Sequence, residues 1–141
     1  MRREFLILAL ALAAGLASPV IAQSKSCTDS EEKQAERQVD LLQSWDQVFE
    51  SYRKFAQCDD GAVAEGYSDV VGKLLANNWE DFPRLVKLAN ADKGFKEFVV
   101  RHVDESLSGD TLRKISKNAR SRCPADAKRL CTLIADAASG N

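Results

Sequence analysis

The stretch TDSEEKQAERQVDLLQSWDQVFESYRKFAQ, residues 28–57, decides the fold. Apolar side chains recur at Ala35, Val39, Leu42, Trp45, Phe49, Tyr52 and Ala56, three or four apart, and Leu41, Val48 and Phe55 widen the row. That period lays one stripe along an α-helix. Thr28 and Glu31 have the capping-box spacing, in which a threonine oxygen takes an orphan N–H and the carboxylate reaches back. Asp29, Glu31 and Glu32 suit the positive end of a helix. The run can be read as one helix from Asp29 to Gln57. Ser44-Trp45-Asp46-Gln47 repeats the capping pattern and marks the place where that helix could break.

The rest of the chain carries the same period. Cys58-Asp59-Asp60-Gly61 reads as a turn, with Asp60 as N-cap of a helix whose face holds Val63, Tyr67, Val70, Val71, Leu74 and Leu75. Gly66 and Gly72 interrupt it, each costing about 1 kcal/mol against alanine, so close helix packing is the expected reason for them. Asn77-Asn78 ends this helix. Pro83 then suits the first turn of a short one, Asp92 caps another through Phe95, Phe98, Val99 and Val103, and Asp110 opens one with Leu112, Ile115 and Ala119. Pro124 is expected to start the last helix, with Ala127, Leu130, Cys131, Ile134 and Ala138 on one face. No strand pattern competes. The reading is all-α: a compact single-domain bundle of five or six helices.

The start of the chain has a different grammar. Arg2 and Arg3 precede an apolar or glycine run from Phe5 to Ala17, Ser18-Pro19 stops it, and Val20-Ile21-Ala22 ends on a small residue. A membrane span needs about 20 apolar residues, so this reads as a secretory signal peptide, residues 1–22, cut near Ala22. The expected mature domain is residues 23–141, in the periplasm or secreted, where cysteines oxidise.

Four cysteines, Cys27, Cys58, Cys123 and Cys131, then read as two disulfides. If Cys123 and Cys131 lie along one helix they are about 12 Å apart, and the ends of one continuous first helix place Cys27 and Cys58 about 45 Å apart. A disulfide needs its Cα atoms within about 7 Å, so both local pairings are excluded on this reading. Cross-pairing is expected instead: 27–123 with 58–131, or 27–131 with 58–123. A straight first helix cannot reach both partners, so a bend or hairpin near Ser44, or a fold-back before Asp29, is required. The spacings match no zinc pattern, no C-x-x-C is present, and neither metal nor cofactor is expected.

The formal net charge of −1 argues against a general nucleic-acid binder. Charge is nonetheless uneven. Thr28–Asp69 holds eleven acidic and four basic residues, while Arg113–Arg129 holds seven basic residues and Asp126 alone. Either surface could steer a charged partner. Arg113, Lys117 and Arg120 form one helix row, and Trp79 with Phe82, just outside the Pro83 helix, reads as an exposed anchor; these five are the candidate partner-binding residues.

Catalytic candidates are weaker. His102, the sole histidine, needs a nucleophile and an orienting group, no Gly-x-Ser-x-Gly elbow supplies one, and it reads as a surface or helix-end residue. Asp59, Asp60, Glu65 and Asp69 cluster around one turn and the next helix. Glu65 and Asp69 could approach the carboxylate separation of a glycosidase, but capping and solvation account for them. No catalytic residue is assigned.

The signal ending Val20-Ile21-Ala22, the mature length, the helical pattern and the four cysteines give an architecture similar to the small helical periplasmic immunity proteins of type VI secreted amidase toxins. The resemblance implies a dimer-prone inhibitor that plugs a toxin's active site with a loop. The functional expectation is a non-enzymatic binding protein whose partner is a protein of the cell envelope. Two alternatives stand beside it: a small envelope hydrolase using acidic residues near Asp59–Asp69, and an envelope structural or stress protein that holds anionic polymer on its basic helix face.

Overall fold

A computed structural model describes residues 25–140; the expected signal segment and its cut site lie outside them. Seven helices and no strand are present among the described residues: α1 Asp29–Val39, α2 Trp45–Phe55, α3 Gly61–Asn77, α4 Phe82–Ala91, α5 Lys93–Arg101, α6 Gly109–Ser121 and α7 Lys128–Ala137. Short 3-10 turns at Ala56–Cys58 and Trp79–Asp81 follow α2 and precede α4. The all-α expectation holds, with seven helices in place of five or six. The extra count comes from the first helical run, which is two helices.

Local chemistry sets that break. The capping box starts α1: Thr28 Oγ1 accepts from the Glu31 N–H at 3.3 Å, and Glu31 Oε2 accepts from the Thr28 N–H at 3.1 Å. At the far end, Leu41 and Leu42 N–H groups bond the carbonyls of Gln38 and Val39, closing the turn. Ser44 is extended (φ −146°, ψ 159°), and its hydroxyl accepts from the Gln47 N–H. The Gln47 carboxamide in turn accepts from the Gln43 N–H at 2.7 Å. A second N-terminus is thus built inside the periodic run, and α2 doubles back on α1. Leu41, which an unbroken helix would place beside the core, is 70% exposed on the turn.

This hairpin overturns the expected cysteine pairing. The disulfides are Cys27–Cys58, with Cα atoms 4.9 Å apart, and Cys123–Cys131, at 6.1 Å. Both are the local pairs that the straight-helix geometry had excluded. Reversal at residues 40–44 brings the end of α2 back to the start of α1, so Cys58 meets Cys27. At the other end, α6 stops at Ser121 and α7 starts only at Lys128. Pro124 therefore does not open α7; its carbonyl accepts from the Ala127 N–H in a turn that carries Cys123 back over the first turn of α7. The expected bend near Ser44 is present, but no disulfide ties α7 to the N-terminal half.

Packing does that work. The buried apolar side chains form one cluster, in which Trp45, Phe55, Val63, Tyr67, Leu75, Phe82, Leu85, Phe95, Phe98, Ile115 and Ile134 are almost fully covered. Helix α3 packs on α1 and α6, and α7 packs on α6 and α5. Gly66 and Gly72 serve close approach: a Cβ at Gly66 would collide with the Val39 side chain, and one at Gly72 would lie 2.6 Å from Leu107 Cδ2. Buried Asn118 of α6 donates to the Leu75 and Ala76 carbonyls near the end of α3 at 3.0 and 3.1 Å, satisfying acceptors that a helix C-terminus leaves open.

Candidate functional site

Ordinary helix ends bring one polar cluster together. Asp60 caps α3 by accepting from the Gly61 N–H at 2.8 Å, which aims the preceding Asp59 inward. Ser68 lies on α3, His102 is the C-cap of α5, and Asp104 lies on the loop leading to α6. His102 is only 3% exposed, with its ring packed edge-on to Phe98 at 4.5 Å. It is a helix-end histidine as expected, but it is buried rather than at the surface.

Its two ring nitrogens face opposite partners. Nδ1 is 3.0 Å from Ser68 Oγ, and Nε2 is 3.1 and 3.2 Å from the two Asp59 carboxylate oxygens. Ser68 Oγ donates to Asp104 Oδ2 at 2.8 Å, and Asp104 Oδ1 accepts from the Ser106 N–H at 2.8 Å. Arg101 adds an ion pair to Asp59 from the solvent side. Hydrogen counting then orders the network. Ser68 has one hydrogen to give, so donating it to Asp104 leaves its oxygen to accept from Nδ1–H. Asp59 can only accept, which calls for Nε2–H. Nε2 serves the carboxylate through Oδ2, and the buried Asp59 Oδ1 is left without a hydrogen-bond donor.

The charges respond accordingly. Burial alone would raise the Asp59 carboxyl, but the hydrogen bond and charge of His102, then those of Arg101, outweigh it and hold the group below the ordinary range. Asp104 is also lowered: bonds from Ser106 and Ser68, with the pull of His102, overcome its burial. Nearby, burial pushes the Tyr67 phenol up, partly offset by its 2.8 Å bond with Ser51.

Asp59, His102 and Ser68 lie in the order acid, base, hydroxyl, which the sequence reading did not find. The signal was in part available, because His102 falls at i+4 from Phe98 and i+7 from Phe95 on the apolar face of α5. Geometry nevertheless sets this cluster apart from a nucleophile site. The Asp104 carboxylate beside Ser68 Oγ would repel an oxyanion forming there, and Ser68 is only 3% exposed, at the base of a cleft of about 250 Å³. The arrangement is suited to stitching α3, the α2–α3 turn, the end of α5 and the α5–α6 loop together.

The other acidic candidates lie outside this cluster, although Glu65 and Asp69 line one groove together. Asp60 is spent on its cap, Asp69 pairs with Lys73 at 2.5 Å, and exposed Glu65 borders the cleft that Ser68 and His102 line. Among the described residues, no group of three or more His, Cys, Asp or Glu side chains is placed to hold a metal ion.

Of the five candidate partner-binding residues, Arg113, Lys117 and Arg120 are exposed on α6. Arg113 is paired with Asp110, and Arg120 bonds Ser116 Oγ and Ser139 Oγ at 3.1 and 3.2 Å, leaving Lys117 as the member of the row without such a contact among the described residues. Trp79 and Phe82 are not exposed anchors. They stack at 4.1 Å inside the core, 4% and 1% exposed, and Trp79 Nε1 donates to the Arg122 carbonyl at 3.0 Å. The 3-10 turn Trp79–Asp81 folds the indole inward against the end of α6.

Exposed apolar surface lies elsewhere. Leu41 sits on the α1–α2 turn, and its chain neighbour Asp40 lines a groove with Glu36, Val39, Glu65 and Asp69. No described helix is long and apolar enough to cross a membrane. No known protein family, curated protein or solved structure matches the chain.

Proposed function

We propose that this chain is a non-enzymatic partner-binding protein of an oxidising compartment, an inhibitor or immunity protein acting on a protein of the cell envelope. The observation that carries the reading is the α1–α2 hairpin. It presents a leucine that is 70% exposed at its turn, and the Cys27–Cys58 disulfide closes its opposite end. A pinned hairpin loses little conformational freedom when it docks, so its leucine can fill a partner's pocket at low entropic cost. The carboxylates of Glu36, Asp40, Glu65 and Asp69 beside it would steer the turn toward a basic surface. This fits the resemblance to loop-plugging immunity proteins, with residues 40–44 as the plugging loop. Secretion and cleavage near Ala22 belong to the same proposal, with which the two disulfides are compatible.

Co-purification from periplasm with cross-linking tests it, using wild type and Leu41→Asp. Wild type should capture one protein reproducibly and the variant should lose it. A wild-type chain that repeatedly captures nothing, or a variant that captures as well, would count against the reading. Turnover of peptidoglycan or glycan that disappears on Glu65→Gln would replace it with a hydrolase. Salt-sensitive binding of anionic polymer, weakened by Arg113→Ala and Lys117→Ala, would replace it with an envelope polymer binder.

A further inference from the structure

We infer that the groove between α5 and α7 is a second docking site, and that its occupant is an acidic amphipathic segment of a partner protein. Its residues come from one stripe of each helix. Lys93, Lys96, Glu97, Val100 and Arg101 recur at helical spacing on α5, and Arg129 and Leu133 are one turn apart on α7. The groove measures about 470 Å³, inside the range of about 300–1,000 Å³ typical of ligand sites.

Its floor is apolar and its rim is cationic. Val100 is half-buried, and Leu133, 38% exposed, is with Leu41 one of the two large hydrophobic side chains left in water among the described residues. Four cations, Lys93, Lys96, Arg101 and Arg129, surround this floor against the single carboxylate of Glu97. Glu97 is already engaged by Lys93 at 3.6 Å, and Arg101 leans on Asp59. Lys96 and Arg129 have no carboxylate within ion-pair distance among the described residues. Like charges gathered around apolar surface repel one another, and an occupant that brings carboxylates to the rim and a leucine-sized side chain to the floor relieves both penalties.

Concavity selects the class of occupant. A slot between two helices accepts the apolar face of a helix or extended peptide, in the helix-in-groove mode, better than a flat membrane surface. The site does not depend on the hairpin, so it would stand if the inhibitor reading fell.

Fluorescence anisotropy tests the inference with a labelled synthetic peptide that carries two leucines at i and i+4 among glutamates. Its controls are the same peptide with serine for leucine and with lysine for glutamate. We expect saturable binding by the full mature chain that weakens with added salt and is absent for both control peptides. Leu133→Ser and the pair Lys96→Glu with Arg129→Glu should each weaken it about tenfold or more. Lys117→Glu on α6 and Leu41→Asp on the hairpin should leave it unchanged. All these side chains are exposed or half-buried, and circular dichroism confirms that each variant folds. No saturable binding, or equal loss on Lys117→Glu, would overturn the inference. Concentration-dependent self-association abolished by Leu133→Ser would instead make a second copy the occupant. Adsorption to phosphatidylglycerol vesicles lost in the same variants, without peptide binding, would make it a lipid surface.

Discussion

His102 Nε2 lies 3.1 Å from Asp59 Oδ1, with both side chains almost wholly removed from water, 4% and 5% exposed. Arg101 touches the same carboxylate from outside, with 62% of its own side chain exposed. Burial therefore divides two contacts on one acid into unequal partners. Breaking a buried pair costs about 3–5 kcal/mol, because the charge left behind has no water, whereas an exposed pair is worth about 0–1 kcal/mol. Urea unfolding should show Asp59→Asn and His102→Ala each losing about 3 kcal/mol, and Arg101→Ala losing under about 1 kcal/mol. Equal losses at the three positions would contradict the ranking.

The same cluster sets the acid limit of the fold. Asp59 and Asp104 are both held below the ordinary carboxylate range. A carboxyl lowered in the folded state contributes stability that is complete above its unfolded value, about 4, and is lost as pH falls through its folded value. Glu31 adds a third such group: the Lys25 ammonium at 2.6 Å, then the Thr28 backbone and hydroxyl, bring it from 4.5 down to about 2. Thermal melting should hold steady at mildly acidic pH and fall steeply between about pH 4 and pH 2. Asp59→Asn should start lower and fall less steeply there. Parallel slopes for variant and wild type would remove Asp59 from the acid response.

The local disulfides make a direct mapping prediction. Proteolysis without reduction should yield the peptide pairs 27–58 and 123–131; any cross-pair between them would refute the local pairing. The closed segments differ in length, with separations of 31 and 8 residues. On the chain-entropy account, the longer loop contributes about 4 kcal/mol and the shorter about 2.5 kcal/mol. Replacing Cys27 and Cys58 together by alanine should therefore lower the urea midpoint more than replacing Cys123 and Cys131. The reverse order would mean that native packing rather than loop length governs the difference.

How much could be read in advance follows the range of the interaction. Thr28, Ser44, Asp60 and Asp92 act on N–H groups one to three residues away, and all four do cap helices as their spacing indicates. Pairings that depend on where a helix starts or stops are not legible in this way, because an unbroken helix through residues 40–44 and a last helix begun at Pro124 rather than Lys128 both hold the paired cysteines apart. The same assumption put Leu41 beside the core. Partners of His102 were out of reach for another reason: Ser68 and Asp59 lie 34 and 43 residues away. Only the tertiary fold brings them together. Periodicity could mark His102 as facing inward but could not say what it would meet there.

Gly66 tests whether close packing explains the glycines inside α3. On propensity alone, Gly66→Ala should gain up to about 1 kcal/mol, because alanine loses less backbone entropy in a helix. Against that, the new methyl would strike Val39 of α1, whose buried side chain would have to shift. Overpacking of this kind costs about 1–3 kcal/mol, so the net effect should be destabilising by about 1 kcal/mol. Pairing it with Val39→Ala makes room for the methyl, and the double variant should be more stable than the sum of the two single losses implies. Additive losses in urea titrations of the four proteins would place the cost of Gly66→Ala somewhere other than the α1–α3 contact.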